Sequence, residues 1–237
     1  MKTYFYLLIV LMFTCIACDD DSSLPTIKPL DEGTWTDPDT QEEYGWVRIG
    51  NQQWMTSNLK AGTPYYAIEY DLDKWEIYST DISETEEGTE EERLDYKKFG
   101  NLYEWDRACE VCAALKDGWR LPSDEDWQEL ERALGMSIDE SASEGWRGDG
   151  VADLMCQGKE GSGLNLLIAG NASLTPFMAR LAVQFVYEKG FYWSSTQDSN
   201  GKVYYRKLDC NLSTVFRTSI DPLTVPMMRV RCVRDVQ

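Results

Sequence analysis

The order of hydrophobic periods along the chain restricts the fold more than any other feature. Between Asn101 and Lys116 the apolar positions Leu102, Trp105, Cys109, Cys112 and Leu115 recur at spacings of three and four, which puts them on one helical face. Gly118 supplies a stop. A second helix is expected after Leu121-Pro122, with Ser123 as N-cap, Asp126 completing a shortened capping box, and Trp127, Leu130 and Leu134 on its buried side. Asp124 and Glu125 sit where the helix dipole favours negative charge.

Beyond Gly161 the pattern changes to short strand-like runs at 164–169, 181–187, 191–196, 203–208, 214–217 and 227–233, separated by Gly, Asn, Asp and Pro. Upstream, the runs in YGWVRIGNQQWM flank Gly50-Asn51, a dipeptide that accepts positive φ and closes a two-residue hairpin. Helices first and strands later, without βαβ alternation, predict an α+β domain with a mainly antiparallel sheet.

The chain contains no histidine, and its formal net charge is −18. The first fact excludes Ser-His-Asp and Cys-His nucleophile systems, histidine zinc ligands and HExxH proteases. The second disfavours nucleic acid and anionic headgroups as partners. Eight carboxylates against Arg93 alone crowd residues 81–95, which are expected to form a solvated loop. Calcium is the one ion such a stretch would suit, although the EF-hand spacing is missing.

At the N-terminus Lys2 precedes an apolar run from Tyr4 to Ala17, the layout of a secretory signal. The run is shorter than a membrane-spanning helix requires, and Asp19, Asp20 and Asp21 follow at once. The ending Cys-Ile-Ala-Cys resembles a bacterial lipobox, which implies acylation of Cys18, removal of residues 1–17 and export of the acid-tagged chain to the outer-membrane surface. Residues 18–43 then read as tether and N-terminal extension, and 44–237 as one domain. The membrane is met through the lipid alone.

Several blocks, taken in order, resemble the Fibrobacter succinogenes major paralogous domain (FISUMP): IGNQQWMTSNL (49–59), FGNLYEWDRA (99–108), GWRLPSDEDWQELERALGMS (118–137), GWRG (145–148), GSGLNL (161–166), FYWSST (191–196), YYRKL (204–208) and VRCVRD (230–235). The resemblance implies a secreted or lipid-anchored protein of Bacteroidota with a C-type lectin-like fold, two helices on a twisted, mainly antiparallel sheet with long loops. It implies no settled activity.

After Cys18 the cysteines are 109, 112, 156, 210 and 232. By analogy with the lectin-like arrangement, in which a helix is stapled to the last strand, Cys112 is expected to pair with Cys232, with Cys109 as rival, and Cys156 with Cys210. The CxxC at 109–112 falls in the second half of its helix, away from the N-terminus where a redox thiolate is stabilised, so a structural role is expected.

Trp54, Trp105, Trp119, Trp127 and Trp193, inside the matching blocks, are expected in the core. Tyr65, Tyr66, Tyr70, Trp75 and Tyr78, outside those blocks, are the expected ligand-facing aromatics. The function expected is therefore a non-catalytic surface binding protein for a glycan or a surface protein, without cofactor unless calcium. The alternatives are an accessory or tip subunit of a surface assembly, or a glycan-acting or cysteine-dependent enzyme.

Overall fold

The computed structural model describes residues 27–67, 69–71, 76–79, 89–175, 180–224 and 227–236. The leader, Cys18 and residues 81–88 of the acidic stretch lie outside them. No helix among the described residues is long and apolar enough to cross a membrane.

The fold is α+β. Strands β1 (Asp31–Thr36), β2 (Glu43–Ile49) and β3 (Gln52–Met55) form a meander. Gly50, at φ 59°, turns the β2–β3 hairpin as the sequence predicts. β1 is a correction to the expected N-terminal extension. Its run DEGTWT buries only Trp35, so hydrophobicity does not reveal it, and backbone pairing with β2 makes it a strand.

β4 (Glu69–Asp71) and β5 (Glu76–Ser79) pair in a two-stranded ribbon. α1 (Glu90–Phe99) follows, a second correction, because residues 90–95 were assigned to the loop. Thr89 and Glu92 form a reciprocal capping box, three glutamates sit in the first turn and Lys97 and Lys98 in the last, so the charges complement the helix dipole. Buried Phe99 anchors its end.

α2 (Trp105–Ala114) and α3 (Asp124–Ala133) are the two helices read from periodicity. α2 ends at Ala114, four residues before Gly118. In α3 the Ser123 hydroxyl accepts from Asp126 N at 3.1 Å and Asp126 Oδ2 accepts from Ser123 N at 2.6 Å. Short helices α4 (Ile138–Ala142) and α5 (Val151–Cys156) flank β6 (Gly145–Arg147).

The remaining strands are β7 (Ala169–Thr175), β8 (Arg180–Val186), β9 (Lys189–Gln197), β10 (Val203–Asp209), β11 (Val215–Ile220) and β12 (Val233–Asp235). One sheet runs β1-β2-β3-β12 and a second β6-β11-β10-β9-β7-β8. Among the described residues the pairings are antiparallel except for two parallel contacts, Gly170 with Gly190 and the isolated bridge Tyr192 with Arg229. The strand expected at 164–169 begins only at Ala169. Gly170 has φ 64°, and a Cβ there would lie 2.1 Å from the Gln184 carbonyl oxygen, so β7 can approach β8 only as glycine.

Two large apolar clusters bind these layers. One joins Tyr44, Met55, Leu59 and Trp119 to α2 and to Trp193, Val203 and Tyr205. The other packs α3 through Trp127, Leu130 and Leu134 against Trp54, Tyr192, Leu208 and Val215. Each fully buried large side chain here contributes about 2–3 kcal/mol.

The segment from Met227 to Val236 runs between the layers. Met228 pairs with Tyr103, Leu59 N donates to the Val230 carbonyl, Met55 N to that of Cys232, and Val233 pairs with Trp54 and Arg120. Its apolar residues feed both clusters, while Arg229 and Arg231 are wholly buried.

Candidate functional site

A groove of about 830 Å³ opens beside the first sheet, lined among others by Lys28, Glu32, Thr34, Trp46, Thr56 and Asn165. Glycines make it. Gly33 lies opposite Trp46 across the β1–β2 ladder, and the indole covers it so closely that a Cβ on Gly33 would sit 2.6 Å from Trp46 Cζ2. A Cβ on Gly45 would meet Thr56 Oγ1 at 2.7 Å, and one on Gly163 would meet Pro29 Cγ at 2.9 Å. Those distances are below van der Waals contact, so side chains at these positions would displace the walls.

The buried C-terminal segment supports the groove from beneath. Arg234 lies between Trp119, 4.5 Å from the ring centre, and Trp46, at 5.7 Å, and its Nε donates to Gln53 Oε1 at 2.6 Å. Arg231 donates to the carbonyls of Met55, Leu164 and Asn165 and to Asn58 Oδ1, all within 3.1 Å, which fixes the 164–165 wall. Burial lowers the Arg231 pKa. The result is a half-buried aromatic face rimmed by exposed Lys28, Glu32, Thr34 and Asn165.

The expected site residues lie elsewhere. Tyr65 is 1% exposed, a correction to its expected ligand-facing role. Its hydroxyl donates to Asp95 Oδ2 at 3.0 Å, and burial followed by the charge of Asp95 raises its pKa. Tyr66 is half-buried, edge-on between Tyr65 and Tyr96 at 5.6 and 5.7 Å. The side chains of Tyr70, Trp75 and Tyr78 lie outside the described residues. Trp54, Trp119, Trp127 and Trp193 are buried as expected, and Trp105 is half-buried, donating to the Ser194 carbonyl.

All five cysteines among the described residues are free thiols, which corrects both expected disulfides. Cys112, on α2, and Cys232 are nonetheless neighbours in one buried cluster; the Cys232 thiol beside it, and then burial, raise the Cys112 pKa. Cys156 ends α5, where burial pushes its thiol up to about 11, and Cys210 is exposed between β10 and β11.

The carboxylates buried around α3 are held by arginines. Glu131 accepts from Arg147 Nη2 and Arg206 Nε, both at 2.6 Å. Asp124 accepts from Arg206 Nη1 and Arg217 Nη2, both at 2.7 Å. Burial pushes the Asp124 carboxyl up, but the hydrogen bond from Arg217 and the charge of Arg206 outweigh it and bring the pKa down to about 2. Asp124 is therefore not poised to exchange a proton near neutrality. Among the described residues no three His, Cys, Asp or Glu side chains converge to hold a metal ion.

Sequence reasoning did not single out Trp46 as a groove-lining residue because it sits inside a predicted strand. The alternation Gly33-Thr-Trp35 in a polar segment was the available signal, and it becomes readable only once β1 is paired with β2.

No curated protein and no solved structure matches the chain. The profile of the Fibrobacter succinogenes major domain matches residues 47–234, a span that begins within β2, one residue after Trp46, and takes in most of β12. The chain therefore belongs to the Fibrobacter succinogenes major domain family.

Proposed function

We propose that the chain is a non-catalytic binding protein, lipid-anchored through Cys18 at the outer-membrane surface, that holds a glycan against Trp46. One observation carries the reading: an indole seated closely against Gly33 in a groove whose rim offers a hydroxyl, an amide, a carboxylate and an ammonium group. The apolar face of a pyranose stacks on such a ring while its hydroxyls pair with Thr34, Asn165, Glu32 and Lys28. The engagement of Asp124 and Glu131 by arginines supports binding over hydrolysis, which needs a carboxyl group free to move protons. The lectin-like architecture implied by the sequence blocks agrees with this reading.

A glycan array followed by calorimetry on the best binder tests it. Specific binding that falls about tenfold or more in Trp46→Ala, with the fold retained, is the expected result. An array with no specific binder, or a Trp46→Ala protein that binds as well as the parent, overturns it. For the anchor, labelled fatty acid should enter the parent chain and not Cys18→Ser.

A further inference from the structure

A second surface lies on the six-stranded sheet, in side chains that the groove does not use. Across four neighbouring strands Trp146 on β6 faces Phe216 on β11, Phe216 faces Lys207 on β10, and Lys207 faces Phe191 on β9. Directly opposed residues project from the same face of a sheet, so these four form one straight row. With strands about 4.8 Å apart, the row is about 14 Å long.

The row is built as alternating rings and cations. Trp146 and Phe216 have ring centres 5.1 Å apart, and the Lys207 ammonium stands 4.2 Å from the centre of Phe216 and 5.0 Å from that of Trp146. Past Phe191 the row continues to Phe185, with ring centres 6.4 Å apart, and Lys189 Nζ lies 4.7 Å over Phe185. Inward, Trp193, Val203 and Tyr205 are buried. Outward, Trp146 and Phe185 are 39% and 41% exposed, so the row is where the core emerges at the surface.

Phe185 also holds φ at 61°, and its neighbour Tyr187 at 65°, a conformation that bulky side chains avoid. Residues kept in such a conformation cluster at binding sites.

Charge decides the occupant. Neither Lys207 nor Lys189 forms an ion pair among the described residues, and each instead rests on an aromatic face. Burial and then the charge of Lys189 lower the Lys207 pKa, an effect that nearby Asp209 partly offsets. Asp209 lies opposite Lys189 across the ladder, so two ammonium groups share one neighbouring carboxylate and the row keeps a positive excess on a chain of net charge −18. A single-stranded nucleic acid would need cations tracking every phosphate, and the overall charge opposes it. We propose that this row binds a linear anionic polysaccharide, its sugar rings lying on Trp146, Phe216 and Phe191 and its acid groups meeting Lys207 and Lys189.

The surface is separate from the Trp46 groove, and the test keeps the two apart. Purified full-length protein is titrated with polygalacturonate, its methyl ester, dextran sulfate, dextran and single-stranded DNA, at low and high salt. Salt-sensitive binding of polygalacturonate or dextran sulfate, with the methyl ester and dextran inert, is the expected result, and the better of the two identifies the acid group as carboxylate or sulfate. Lys207→Gln and Trp146→Ala should each weaken it about tenfold, while Lys97→Gln, an equal charge loss on exposed α1, should not. Lys207→Arg, which keeps the charge, should retain most of the binding and so separates loss of the site from loss of the fold. Equal binding of neutral and acidic polymers, preferential binding of DNA, no binding, or binding indifferent to Lys207→Gln would each overturn the proposal.

Discussion

Arg206 Nε donates to Glu131 Oε1 at 2.6 Å in a place where both side chains are withdrawn from water. The pair is the centre of a network of three guanidinium and two carboxylate groups that ties α3 to β6, β10 and β11.

Replacing Glu131 by Gln leaves Arg147 and Arg206 buried beside a neutral amide. Breaking such a pair costs about 3–5 kcal/mol, chiefly because the remaining charge stays desolvated. Urea unfolding of Glu131→Gln should show that loss at neutral pH. A loss under 1 kcal/mol would mean that the network is better hydrated than its burial indicates.

Asp124 gives the network a pH dependence. Its folded-state pKa, about 2, lies below the ordinary 3.8, so its stabilisation is complete above about pH 4 and is lost as pH falls through 2. The amount is about 2 kcal/mol. Stability measured between pH 5 and pH 2 should fall less steeply in Asp124→Asn than in the parent. Asp126, whose burial is likewise outweighed by its hydrogen bond from Arg120, retains part of the slope.

Gly33→Ala tests the floor of the groove. The added methyl would meet Trp46 Cζ2 at 2.6 Å, so the indole must lift. We expect altered tryptophan emission, a stability loss of about 1–3 kcal/mol from overpacking, and weaker glycan binding. Unchanged emission and affinity would show that the ring is not seated on that glycine.

The adjacency of Cys112 and Cys232 predicts oxidative coupling. Under mild oxidant, peptide mapping should find this pair joined ahead of any pair containing exposed Cys210, and the product should gain about 2–4 kcal/mol over the reduced protein. Cys112→Ser should abolish the gain. Preferential coupling through Cys109 would shift the partnership by one helical turn.

The hairpin at Gly50-Asn51 and the Ser123 cap were legible because local chemistry alone determines them: a glycine at positive φ and a hydroxyl facing orphan amides. β1 and β7 were hidden because DEGTWT and AGNASLT carry few apolar residues and depend on partners distant in sequence. α1 was hidden by its own charge, since EEERLDYKKF reads as solvated until Phe99 and the Asp95–Arg229 pair secure it. Tyr65 followed the same logic in reverse. It looked available outside the family blocks, yet Asp95 and Asn101 draw it inward, and those contacts span 30 and 36 residues. The aromatic and lysine row was unreadable because each member sits on a different strand and only the register aligns them.

The groove beside Trp46 owes its shape to missing side chains. A floor of that kind has no larger residue to trade, so substitution there closes it. Lys28, Glu32, Thr34 and Asn165 stand exposed around it. Changes at the margin would therefore alter the charge and hydrogen bonding around the hollow, while changes at the glycines would fill the hollow itself.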